Sequence, residues 1–111
     1  MEKKTISAHD LLDKLKSGES VFLLDVRDEE KFRSGSLEHD GATPVNIPYV
    51  AMKDDQDSIR DQVAELPKDK IIVTLCTTGN KAQKAAQLLC EKGFSAVSIE
   101  GGLTAWNELS K

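Results

Sequence analysis

Five short apolar runs recur along the chain and predict five β-strands. They are KTIS (4–7), VFLLDV (21–26), PVNI (44–47), IIVTLC (71–76) and AVSIE (96–100). The second, fourth and fifth runs are nearly continuous rather than alternating, which is typical of strands that are covered on both faces in a parallel sheet. We therefore expect a mostly parallel, five-stranded central sheet.

Helical patterns with recognisable ends lie between these runs. Ser7, with Asp10 three positions later, predicts the N-cap of a first helix that ends at Gly18. Asp28 is expected to cap a short second helix. Three more helices are predicted over 57–67, 81–93 and 103–110. The alternation of strands and helices predicts a single α/β domain over residues 1–111, with helices on both faces of the sheet.

One charged stretch and two aromatic residues outside the strands also lead to predictions. The charged stretch AMKDDQDS (51–58) is interpreted as a solvated loop, with a site for a partner as the alternative. Trp106, the single tryptophan, and Phe32 are expected in the core, where large aromatic side chains bury the most surface.

Composition and charge exclude several classes of function. The 15 basic and 19 acidic residues, with a pI near 5.1, leave no excess of basic residues for binding nucleic acid or an anionic membrane. No apolar stretch approaches the roughly 20 residues of a membrane span, so a cytoplasmic location is expected. The two cysteines and two histidines match no zinc-binding spacing, so we expect no metal and no cofactor.

The sequence CTTGNK (76–81) is the strongest candidate for a functional site. Cys76 ends a predicted buried strand, and ligands of open α/β sheets bind beyond the carboxyl ends of strands. A helix is expected five or six residues later. Gly79 and Asn80 tolerate positive φ, and Thr77 and Thr78 are small and polar, so this loop can turn its backbone N–H groups inward around an anion.

A thiol that faces such a ring of N–H groups should be stabilised as the thiolate, the reactive form of cysteine. Lys81 adds a positive charge at the mouth of the loop. Cys76 is therefore a candidate nucleophile. The alternative is that Cys76 is only a small buried residue at the end of a core strand. Cys90, on the apolar face of the following helix, is interpreted as a core residue.

Four motifs in order make the sequence resemble the single-domain rhodaneses, or sulfurtransferases. They are LLDVRDEEKFRSGSL (23–37), GATPVNIP (41–48), CTTGNKA (76–82) and GFSAVSIEGGLTAW (93–106). The resemblance implies the three-layer rhodanese-like fold. It also implies that a cysteine takes a sulfane sulfur from a donor such as thiosulfate, forms a persulfide, and passes the sulfur to cyanide or to a thiol acceptor, including a protein thiol.

The family's functional residues can be carried over position by position. Cys76 matches the persulfide-forming nucleophile. The substrate-binding loop, whose N–H groups surround the terminal sulfur in the family, corresponds to Thr77, Thr78, Gly79, Asn80 and Lys81. Thr77 is neutral where many members carry a basic residue, which predicts weaker capture of an anionic donor such as thiosulfate.

The segment before the third strand also departs from the family pattern. Ser36 stands where histidine is common, and His39 lies nearby in a stretch, 36–43, that is longer than usual. His39 is interpreted as a surface residue of this loop. Whether it and the 36–43 segment line the pocket is left open.

Asp25 and Arg27 follow another strand whose carboxyl end should lie at the same edge of the sheet. Both are candidates for contact with the donor anion, and Arg27 is counted among the substrate-binding residues. The alternative is that Asp25 and Arg27 form an internal ion pair that stabilises the turn.

Two other functions use a cysteine in an anion-binding loop. Phosphatases and arsenate reductases place an arginine after five intervening residues, and position 82 is alanine here, which disfavours them. A non-catalytic rhodanese-like binding or redox-sensing module stays open, because a thiolate in such a loop is readily oxidised.

Overall fold

The computed structural model describes residues 5–37, 43–54 and 57–109. In chain order the elements are β1 (Thr5–Ile6), α1 (Ala8–Lys16), β2 (Val21–Asp25), α2 (Glu29–Arg33), β3 (Val45–Asn46), α3 (Tyr49–Lys53), α4 (Asp57–Ala64), β4 (Ile71–Leu75), α5 (Asn80–Glu91), β5 (Ala96–Ile99) and α6 (Gly102–Leu109). The five strands form one sheet in the order β1-β5-β4-β2-β3, and every pair is parallel. The predicted α/β fold with a parallel five-stranded sheet is confirmed.

Successive strand residues point to opposite faces of the sheet, and each face is covered by its own helices. On β4, Ile72 belongs to the core cluster formed with α3, α4 and α5. Val73 belongs to the second cluster, formed with α1 and α6. The molecule therefore has three layers, and each strand residue can be assigned to one side or the other.

Ser7 and Asp28 occupy the N-cap positions predicted for them, but only Ser7 makes the expected side-chain hydrogen bond. The Ser7 side chain accepts a hydrogen bond of 3.0 Å from the Asp10 N–H, which confirms the N-cap of α1. Asp28 occupies the N-cap position of α2, but its side chain makes no capping hydrogen bond.

Of the two aromatic core predictions, one is confirmed and one is wrong. Trp106 is buried and packs between α6 and the sheet. Phe32 is only partly buried and belongs to neither core cluster of the described residues. Phe32 lies on α2, which has only five residues, and none of the five is fully buried.

The prediction of a loop over 51–58 is wrong for most of its length. Helix α3 extends to Lys53, and α4 begins at Asp57. One turn of α3 brings Met52 into the core, where it is 4% exposed, and this burial stabilises a helix too short to show a periodic pattern. Residues 55 and 56 lie outside the described residues, as do His39 and Lys4, on which other predictions fell.

Within the described ranges, no helix combines the length and the apolar character that crossing a membrane requires.

Candidate active site

Cys76 lies directly beyond the last residue of β4, at the carboxyl edge of the sheet. Helix α5 starts at Asn80, one or two residues earlier than predicted, so the connecting loop is short. The Cys76 residue is 3% exposed, whereas Thr77 and Thr78 are exposed. The thiol therefore lies just below a polar surface loop, and access to it is narrow.

Two backbone amides point at the sulfur of Cys76. The Gly79 N–H donates to Sγ at 3.0 Å, and the Ala82 N–H donates at 3.3 Å. Gly79 is the N-cap residue of α5 and has a left-handed backbone, φ 101°, which glycine adopts without a steric penalty. Two amide donors and the N-terminal end of a helix therefore face this sulfur.

Thr74 holds one side of this arrangement in place. It lies on β4 two residues before Cys76, on the same face of the sheet, and is fully buried. Its hydroxyl donates to the Ala82 carbonyl at 2.7 Å, which ties the first turn of α5 to the strand. The sequence predictions did not include Thr74. A hydroxyl residue inside an otherwise apolar strand is the signal that could have identified it.

The other side of the loop is held by α6. The Leu103 N–H donates to the Cys76 carbonyl at 2.8 Å. Gly102, the first residue of α6, lies against the same loop. A Cβ atom on Gly102 would lie 2.5 Å from the Thr77 carbonyl oxygen and closer still to that of Cys76. Only glycine permits α6 to approach the loop this closely.

The predicted substrate-binding residues lie together in this loop and in the first turn of α5. Thr77, Thr78, Asn80 and Lys81 are exposed, and Gly79 is buried over the sulfur. Lys81 presents its charge to solvent at the surface of the loop. The roles predicted for these residues in binding a substrate stay predictions.

Arg27 makes an extensive ion pair with Asp25. Its Nε donates to Asp25 Oδ1 at 3.0 Å, and its Nη2 donates to Oδ2 at 2.7 Å. Nη2 also donates to the Gly35 carbonyl at 2.6 Å, and the Ser36 hydroxyl donates to Oδ2 at 2.7 Å. This geometry supports the internal ion pair over a contact with the donor, and binding of the donor by Arg27 stays a prediction.

The Asp25 side chain and the sulfur lie on opposite faces of the sheet. Asp25 alternates with Leu24 and shares a face with Leu23, which belongs to the cluster under α1 and α6. Cys76 belongs to the cluster under α5. The carboxyl ends of β2 and β4 are neighbours, but their polar side chains do not converge.

We expect Asp25→Asn to lower the free energy of unfolding by about 3 kcal/mol. Asp25 is fully buried, and the Arg27 side chain is only 11% exposed, so the substitution leaves a nearly buried cation without its opposite charge. Urea unfolding measures the effect. The matched control is Glu29→Gln, which breaks an exposed Arg33–Glu29 pair and should cost less than about 1 kcal/mol. Equal losses for the two variants would contradict this account.

A separate cleft of about 240 Å³ lies away from the sulfur. It is lined by Met52, Ile59, Arg60, Val63, Ala64, Lys68, Lys92 and Phe94. Lys92 and Phe94 follow the end of α5, whereas Cys76 precedes its start, and the 12-residue helix is about 18 Å long. The Lys68 ammonium lies 5.4 Å from the centre of the Phe94 ring, as a cation–π contact. The cleft does not belong to the cysteine site.

A group of His9, Asp10 and Asp13 lies on the exposed side of α1. The His9 Nδ1 and Asp13 Oδ2 atoms are 3.4 Å apart, at the i, i+4 spacing that places side chains on one face of a helix. This spacing accounts for the group without a ligand.

Comparisons with known proteins bear on the family and the fold of the chain. Residues 7–109 match the sequence model of the Rhodanese-like domain family. The chain is 32% identical over 106 residues to the thiosulfate sulfurtransferase GlpE of Shewanella oneidensis, covering 95% of this chain and 93% of that protein. It is 35% identical over 89 residues to the GlpE of Pseudomonas savastanoi pv. phaseolicola, covering 79% and 74%.

A solved structure shows the same fold. The crystal structure of a rhodanese-related protein from Thermoplasma volcanium superposes with a TM-score of 0.74 at 28% identity, covering 96% of this chain and 92% of that one. Fold, family match and relatives named as sulfurtransferases agree with one another. The chain belongs to the rhodanese family.

Proposed function

We propose that the protein is a rhodanese-type sulfurtransferase in which Cys76 is the nucleophile. The observation that carries this proposal is the pair of amide N–H groups, from Gly79 and Ala82, directed at Cys76 Sγ. The first N–H groups of a helix have no partner within it, and here two amides at the start of α5 are directed at a sulfur. The same donors are what a sulfur anion needs in a nearly water-free site.

The reaction consists of two displacements at sulfur. The Cys76 thiolate attacks the outer sulfur of thiosulfate, the S–S bond of the donor breaks, and sulfite leaves with the bonding electron pair. The product is a persulfide anion on Cys76. Cyanide or an acceptor thiolate then attacks the terminal sulfur, the persulfide bond breaks, and the Cys76 thiolate is regenerated. Both steps are nucleophilic substitutions, so neither needs a redox cofactor.

The loop after Cys76 would hold the transferred sulfur. We assign substrate binding to Thr77, Thr78, Gly79, Asn80 and Lys81, and the Gly79 N–H that donates to the Cys76 sulfur supports this assignment. Lys81 is the formal positive charge of this segment and is exposed, so it would attract an anionic donor only weakly. The narrow access to Cys76 favours a small donor molecule. We further propose that residues 1–111 form one domain and that the protein acts in the cytoplasm.

Intact-protein mass spectrometry tests the proposal directly. The reduced protein is incubated separately with thiosulfate, a mercaptosulfonate donor and glutathione persulfide. We expect its mass to rise by one sulfur atom with at least one donor, and cyanide to remove that sulfur as thiocyanate. An unchanged mass with all three donors contradicts the proposal. Faster reaction of Cys76 with peroxide than with every donor would instead support the redox-sensing alternative.

A further inference from the structure

Two carbonyl groups of the cysteine loop are bound by the first turn of α6. The Cys76 carbonyl accepts the Leu103 N–H at 2.8 Å. The Thr77 carbonyl accepts two hydrogen bonds from Thr104, one from its backbone N–H at 3.1 Å and one from its hydroxyl at 3.0 Å. Thr104 therefore holds the Thr77 carbonyl more firmly than a backbone contact alone would.

The direction of these carbonyls determines where the next amides point. A peptide group is planar and trans, so the N–H of residue i+1 points opposite to the C=O of residue i. With the carbonyls of Cys76 and Thr77 turned toward α6, the N–H groups of Thr77 and Thr78 point away from α6.

The sulfur lies on the side to which these amides point. Leu103 of α6 belongs to the core cluster on one face of the sheet, and Cys76 belongs to the cluster on the other face, beneath α5. The amides of Thr77 and Thr78 are thus directed toward the face that carries Sγ. The hydrogen bonds that reach Sγ itself come from the Gly79 and Ala82 N–H groups.

We infer that Thr104 is a positioning residue for sulfur transfer, because its hydroxyl fixes the Thr77–Thr78 peptide plane and thereby aims the Thr78 N–H into the space of the transferred sulfur. This inference rests on the proposed function of Cys76. Thr104 itself does not touch the sulfur. It is exposed, so the hydroxyl contributes little to core packing.

Replacing Thr104 by valine removes the hydroxyl and keeps the shape of the side chain. The Thr104 N–H still binds the Thr77 carbonyl, so we expect partial loosening rather than collapse of the loop. The rate of persulfide formation at saturating donor should fall about threefold to fivefold, the range for one exposed hydrogen bond, while the donor KM changes less. Thr104→Ser keeps a hydroxyl and should restore the rate to within about twofold of the unchanged protein.

The experiment compares the unchanged protein, Thr104→Val, Thr104→Ser and Glu108→Ala, an exposed control on the same helix. Rates of sulfur uptake are followed by rapid-quench mass spectrometry, and urea unfolding is measured for each. A slow Thr104→Val variant with an unchanged unfolding midpoint, rescued by serine, supports the inference. A Thr104→Val rate equal to that of the unchanged protein, or a loss that serine does not rescue, overturns it. If the unchanged protein takes up no sulfur, the proposed function itself fails, which is a separate result.

Discussion

Cys76→Ala is expected to abolish sulfur transfer, lowering the rate of thiocyanate formation from thiosulfate and cyanide by at least about 10⁴-fold. The reason is that both displacements pass through a covalent bond to Cys76 Sγ, and no other atom of the loop can supply it. The Gly79 and Ala82 amides would remain without a sulfur to bind. Thiocyanate production and intact mass, measured together, check the result. The fold should survive, because alanine fits the space that a small buried thiol leaves.

Cys90→Ala is the matched control. Cys90 is partly buried on α5, and its thiol contacts the Ala96 carbonyl at 3.4 Å rather than any residue of the cysteine loop. We expect this variant to retain sulfur uptake and thiocyanate formation within about twofold. Two results would contradict the assignment: sulfur uptake that persists in Cys76→Ala, or an equal loss of activity in both variants.

Gly102→Ala should have the largest effect of any single-methyl change near the site. The added Cβ would lie 2.5 Å from the Thr77 carbonyl oxygen and closer to that of Cys76, and the backbone at Gly102 has φ +61°. The start of α6 must then move away from the loop, which breaks the Leu103 and Thr104 hydrogen bonds to it. We expect a loss of about 2–4 kcal/mol in the free energy of unfolding, from overpacking and left-handed strain together.

The same substitution should slow persulfide formation about 100-fold, because a shift near 1 Å in the groups that surround a nucleophile costs about that factor. Gly93→Ala is the control that separates backbone strain from the steric clash of the added Cβ. Gly93 has φ +96° but no atom within 4 Å of the added Cβ, so only the strain of about 1–2 kcal/mol applies. Urea unfolding and rapid-quench mass spectrometry on both variants test this. If Gly102→Ala matches Gly93→Ala in both stability and rate, the close packing of α6 on the loop does not matter.

Much of the fold could be predicted from local patterns alone. The nearly continuous apolar runs around Leu24, Val73 and Ile99 identified strands covered on both faces, since burial on two sides removes the alternation of an exposed sheet. Ser7 identified the start of α1 by the hydrogen bond that its side chain can make three residues ahead. The position of Cys76 at a strand end, before a glycine-containing loop and a helix, followed from the same local signals.

The elements that were missed are those stabilised by distant contacts. Helix α3 has five residues, too few for a periodic pattern, and it forms because Met52 is buried against residues far away in the chain. Phe32 looked like a core residue because it is aromatic, but within the described part of the chain the short helix α2 has no buried residue. Burial depends on what packs against a segment, which its own residues do not specify.

Local sequence thus accounts for the five strands, their burial on both faces and the location of the thiol, because the signals for each lie within a few positions of one another. The assembly around the thiol depends on the folded chain. Thr104 of α6 lies 27 positions along the chain from Thr77, whose carbonyl it binds. The Asp25–Arg27 pair lies on the opposite face of the sheet from Cys76. Contacts of this kind arise from how the layers stack, and a local pattern carries no information about which carbonyl a distant hydroxyl will meet.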